Sequence, residues 1–137
     1  MQFHNGRLFD HVHLRARDFA VTSRFYQAVL ASLDIPVTAM SEKWLQADEL
    51  FIDAADAGTI PTHIHLAFQA KDRAAVHKFY EAALAAGGKD NGAPRERHYH
   101  PGYFACFIID PDGNNIEAVY HGPSTRSAAS VTIEPTA

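Results

Sequence analysis

Two histidines alternate in DHVHLRARD (Asp10 to Asp18), and another opens HLAFQAKD (His65 to Asp72); His11 and His65 each stand seven places before an aspartate. Much further along, Glu117 sits in NNIEAVY. Imidazole and carboxylate together suit a borderline divalent cation such as Zn, Ni or Fe(II). Two histidines and one carboxylate also leave coordination positions open, as a catalytic centre requires. His11, His65 and Glu117 are therefore the candidate metal ligands, with His13 and His63 as rivals on the same strand faces. His100 and Tyr103 bracket Pro101-Gly102 and are candidates for an acid/base and a hydrogen-bond donor to a substrate oxygen. Arg15 and His13 are candidate substrate contacts; Arg15 could equally pair with Glu117 or another acid.

These side chains need strands to aim them. In HVHLRA, a period of two puts Val12 and Leu14 on one face and His11, His13 and Arg15 on the other. HLAFQA repeats this, with Leu66 and Phe68 opposite His65, Ala67 and Gln69. Glu117 alternates against Ile116 and Ala118 and so shares the histidine side.

Sliding the sequence against itself by 54 positions aligns His11 with His65, Asp18 with Asp72, and Phe25-Tyr26 with Phe79-Tyr80. A fixed internal offset dictates architecture, and two copies mean a duplication. In each copy the aspartate is suited to cap a helix. Phe25, Val29 and Leu33 then recur at helical spacing, as do Val76, Phe79, Tyr80, Ala83 and Leu84. VTAM, KWLQAD and LFIDAA read as strands of the first copy. YFACFIID and NNIEAVYH, around a type I turn at DPDG, read as strands of the second.

The expected fold is α+β: two tandem βαβββ modules, about 8–58 and 62–121, in a single domain spanning 1–122. Helices should cover one sheet face and leave the histidine face open. Lys89 to Phe104 reads as a loop, and loops carry function disproportionately. Residues 123–137 read as a tail, mobile or an edge strand. Trp44 and Phe51 are expected to line or back the open face; His4, His77 and His121 read as surface residues.

A net charge of −4 with scattered basic residues argues against nucleic acid as a partner. No apolar run approaches the roughly 20 residues needed to span a bilayer, and no secretory signal is apparent, so a cytoplasmic protein is expected. Cys106 is the only cysteine, in apolar YFACFIID, which reads as a buried small hydrophobe. No GxSxG, phosphate-binding glycine loop or Cys-His arrangement is present.

The stretches HVHLRARD…FY, HLAFQAKD…FY and DPDGNNIE together resemble the vicinal oxygen chelate superfamily, which includes glyoxalase I, extradiol dioxygenases and bleomycin or fosfomycin resistance proteins. The resemblance covers residues 9 to 121. It implies paired βαβββ modules in a curled mixed sheet with helices on its outer face. The cupped face would hold a divalent metal (Zn, Ni, Fe(II) or Mn) on His11, His65 and Glu117. Glyoxalase I adds a carboxylate from the first module's last strand; Glu49 and Asp53 lie near that place, but neither aligns with it. The leading activity implied is a glyoxalase-like lyase or isomerase, with the metal stabilising an enolate-like intermediate on a small oxygenated substrate. Glu117, His100 and Tyr103 would serve the chemistry, and the partner would be a second copy in a homodimer. Alternatives are an Fe(II) extradiol-type dioxygenase and a non-catalytic antibiotic-binding protein.

Overall fold

A computed structural model describes residues 2–136. Each half of the chain runs strand, helix, three strands. The first comprises β1 (Val12–Ala16), α1 (Phe19–Ser32), β2 (Ala39–Met40), β3 (Trp44–Ala47) and β4 (Leu50–Ala54). The second comprises β5 (His65–Gln69), α2 (Arg73–Ala85), β6 (Lys89–Glu96), β7 (Phe104–Ile109) and β8 (Asn115–Tyr120). The strands form two four-stranded mixed sheets, ordered β1-β4-β3-β2 and β5-β8-β7-β6. In each, the opening strand pairs in parallel with the closing strand. Among the described residues no ladder joins the two sheets, so the architecture is not closed.

Both helices begin where the repeated aspartates stand. Asp18 accepts from the Val21 amide and Asp72 from the Ala75 amide, satisfying donors that a helix start leaves free. Their apolar stripes are the core: Phe25, Tyr26, Val29, Val76, Phe79 and Ala83 are fully buried. They meet Leu14, Leu45, Ile52, Ile108 and Ile116 from the covered sheet faces in a single cluster.

The halves meet through these helices, and α1 packs directly on α2. The DPDG turn tightens the join: Gly113 N–H donates to Asp110 O at 3.1 Å, and Gly113 takes the left-handed φ of +90° that closes the turn. Asp110, buried, accepts from the Tyr26 hydroxyl at 2.6 Å and from both nitrogens of Asn114. Burial and the Asp110 carboxylate beside it push the Tyr26 phenol well above its ordinary pKa. Asp112 accepts from Thr22 and from the Arg17 amide, so this turn of the second half is bonded to the start of α1.

Lys89–Glu96 is not a loop. It is edge strand β6, paired with β7 through register shifts around Gly92. Gly92 and Pro94 break its alternation, and an edge strand with a bulge is where a sheet accepts both. Residues 123–136 form no strand; Arg126 reaches back from them to the Gln69 side chain. Among the described residues no helix is long and apolar enough to cross a membrane.

Candidate functional site

The uncovered face of the second sheet carries the densest polar arrangement. His65 on β5 and Glu117 on β8 lie on neighbouring parallel strands, with Glu117 one diagonal step from His65: His65 faces Asn115, and Ala67 faces Glu117. His65 Nε2–H donates to Glu117 Oε2 at 2.9 Å. Tyr103, just before β7, donates its hydroxyl to Glu117 Oε1. Glu117 is only 2% exposed, although it stands on the uncovered face. A buried carboxylate is costly unless its oxygens are satisfied, and here one imidazole and one phenol do so. Burial and the neighbouring carboxylate push the Tyr103 phenol far up, so it stays protonated and acts as a donor.

Imidazole nitrogen and carboxylate oxygen are donor types that suit a divalent cation. Two ligand atoms about 2.1 Å from one ion and at right angles to each other lie about 3.0 Å apart, close to the separation of His65 Nε2 and Glu117 Oε2. The described residues of the chain bring no third ligand to this pair. Among the described residues no group of three or more His, Cys, Asp or Glu converges. His11, at the mouth of β1, is exposed and donates to Asp10 at 2.6 Å. The structure therefore brings His65, Glu117 and Tyr103 together and leaves His11 on the other module. His63 is exposed and belongs to no metal-ligating cluster.

The uncovered face of the first sheet repeats the same diagonal, two residues further along. His13 on β1 faces Phe51 on β4, and its Nε2–H donates at 2.8 Å to Asp53, which faces Arg15. Phe51 packs edge-on against His13 and lies against Trp44, so both aromatics line this face. Arg15 pairs with Asp56 at 3.3 Å and not with Glu117. Extending the β1–β4 register backwards places Glu49 opposite His11, so the first-module counterpart of Glu117 is Phe51. Neither Glu49 nor Asp53 occupies it.

His100 has both ring nitrogens engaged: Nδ1–H donates to Pro101 O at 2.9 Å, and Nε2 contacts His121 Nδ1 at 2.9 Å. The rings stack, and Tyr103 meets both edge-on. His121 is thus half-buried and not a surface residue, and burial together with His100 lowers its pKa. The pair holds the loop that presents Tyr103. Residues 121 and 100 lie far apart in sequence, and only a β8 end known to return beside that loop would have shown the contact. His4 and His77 are exposed as expected, His77 lying against Phe104. Cys106 is fully buried, and burial raises its thiol to about 11.

One site residue escapes sequence reasoning altogether. Arg97 lies over the Phe107 ring, 5.0 Å from its centroid, and Phe107 faces Glu117 across the β7–β8 ladder. The only sequence signal is a cation inside an irregular stretch.

Among curated proteins none matches the chain. Solved structures match it along most of its length. A glyoxalase/bleomycin resistance protein from Albidiferax ferrireducens T118 is 28% identical with a TM-score of 0.68, covering 82% of this chain and 97% of that one. A lactoylglutathione lyase from Agrobacterium tumefaciens is 20% identical with a TM-score of 0.60, covering 84% and 94%. The oxidase ChaP-H2 is 19% identical with a TM-score of 0.55, covering 89% and 95%. With residues 8–118 matching the family model as well, the chain belongs to the Glyoxalase/Bleomycin resistance protein/Dioxygenase superfamily.

Proposed function

We propose that the protein is a divalent-metal-dependent, glyoxalase-like lyase or isomerase acting on a small oxygenated substrate. The observation that supports it most is the convergence of His65 Nε2 and Glu117 Oε2 at 2.9 Å on an uncovered sheet face, with the carboxylate buried. His65 and Glu117 of one chain would hold the metal together with His11 of a second copy. Each chain presents two uncovered half-faces pointing away from the joined helices, and a twofold dimer can close one against the other. The lactoylglutathione lyase among the structural neighbours agrees with this activity.

When bound, the metal supplies Lewis acidity towards substrate oxygens and offsets developing negative charge. The chain's own groups have separate tasks. Tyr103, held protonated, donates its one hydroxyl proton to Glu117 Oε1, which fixes the carboxylate and leaves the phenol oxygen able to accept from a substrate hydroxyl. Glu117 balances the cation's charge and can accept a proton. His13, steered by Asp53, leaves Nδ1 free to face a substrate on the opposing half-face. His100 serves by fixing the Tyr103 loop.

Elemental analysis of the purified protein tests the metal, with His65→Ala and Glu117→Gln as controls. Bound metal in the wild type and its loss in both variants supports the reading. A protein that arrives without metal and does not take it up after incubation is a binding module instead.

One observation favours a second reading. Phe51 in place of a fourth ligand leaves two histidines and one carboxylate, the facial set of non-haem Fe(II) oxygenases. Oxygen uptake with a catechol by the iron-loaded protein would establish that chemistry, and isomerisation without oxygen uptake would establish the first.

A further inference from the structure

Of the described arginines, only Arg15 and Arg97 are partly buried; the others are exposed. Arg15 has Asp56 as its counter-charge. Arg97 has none. Its guanidinium is bonded only to backbone carbonyls, with Nε at 3.3 Å and Nη2 at 3.1 Å from Ala105 O, and Nη2 at 2.6 Å from Ala93 O. Nη1 has no partner among the described residues. A half-buried cation without a counter-ion costs free energy unless a ligand supplies the anion.

The surroundings hold this cation in place. Phe107 lies under the guanidinium, a geometry that attracts a cation and removes water from one of its faces. Gly92 makes room for both: a Cβ there would come within 3.1 Å of Arg97 Nη2 and of the Phe107 ring. The β6 bulge thus falls where the arginine needs space. The Arg97 amide donates to Tyr103 O at 2.8 Å, which ties its backbone to the residue that bonds Glu117. His65 flanks the same Phe107 ring, centroid to centroid at 5.9 Å.

We propose that Arg97 is the anion-recognition residue of this face, binding a substrate carboxylate through Nη1 while the substrate's reacting oxygens reach His65 and Glu117. The proposal rests on the reading of that face as the substrate site, and it narrows the substrate class to small oxygenated carboxylates. Because Arg97 and His65 flank one phenyl ring, the acid group and the reacting oxygens must lie within a short carbon chain. Nε and Nη2 are taken by carbonyls, but Nη1 keeps both of its N–H donors, and a charge-assisted bond from it to a carboxylate oxygen is stronger than a neutral one.

The test compares lactate with lactamide, which keeps the hydroxyl and shape but lacks the charge. Each is titrated into the full-length protein, as purified and again after chelation, while the Arg97 Nε–H resonance is followed by NMR. Lactate should shift that resonance in both preparations, with a preference over lactamide of about ten- to a hundredfold, the range expected for a hydrogen bond to a charged group. Arg97→Gln should abolish the preference while its spectrum stays dispersed, and Arg97→Lys should keep part of it. An unmoved Arg97 resonance at saturating lactate, equal affinity for lactamide, or a preference surviving in Arg97→Gln would overturn the proposal. If lactate binds only before chelation and Arg97→Gln binds it equally well, the metal is the anion site, so the metal reading stands and the Arg97 proposal falls. A preference retained by the chelated wild type and lost in Arg97→Gln upholds Arg97 whatever the elemental analysis finds.

Discussion

Tyr26 on α1 donates a 2.6 Å hydrogen bond to Asp110 in the β7–β8 turn, so the two halves of a duplicated chain are joined by a buried phenol and a buried carboxylate. Asp110 keeps its bonds from the Asp112 and Asn114 amides and the Asn114 side chain without Tyr26. Tyr26→Phe should therefore destabilise the fold by about 1–3 kcal/mol, the cost of a lost bond to a buried charged group. Urea denaturation should show a lower midpoint with an unchanged slope, and metal content should stay at the wild-type level.

The buried cysteine gives a second expectation. Burial lifts the Cys106 thiol to about 11, and only the thiolate is nucleophilic. A disulfide reagent at neutral pH should label Cys106 in urea and leave it unlabelled in the native protein. Rapid labelling of the native protein would show that the β7 core opens readily.

A third concerns acid. Burial and His100 lower the His121 pKa below its usual value near 6.5, so the folded state binds this proton less well than the unfolded chain does. Stability from this source is present above about pH 6.5 and is lost as pH falls below it. The groups against its ring are His100, Tyr103 and Phe3, and the more distant Glu117 opposes the shift. His121→Asn should flatten the stability profile between about pH 7 and pH 5, read as the difference in melting temperature across that range. A slope equal to the wild type's would remove His121 from the acid response.

Much of this fold is written locally. Asp18 and Asp72 mark helix starts, and the alternation around His65 and Glu117 assigns both to one face before any contact is known. Strand β6 is different, because Gly92 and Pro94 erase its period and only pairing with β7 makes it a strand. His121 reads as surface until the chain returns it beside His100. Arg97 is silent because its meaning lies in a ring ten residues away, brought beneath it by a bulge. Whether His11 meets His65 depends on how α1 packs on α2, and helix docking leaves no mark on a strand motif.

The proposed arrangement is a metal held by His65 and Glu117 of one chain and His11 of another. Its most direct test is the metal content of a purified heterodimer made from one His11→Ala chain and one Glu117→Gln chain, isolated with two affinity tags. Each homodimer variant should be empty. In the heterodimer one site carries both defects and the other carries neither, so half the wild-type metal content is expected. A heterodimer as empty as its parents would contradict a site shared between chains, and wild-type content in both parents would contradict the ligand assignment itself.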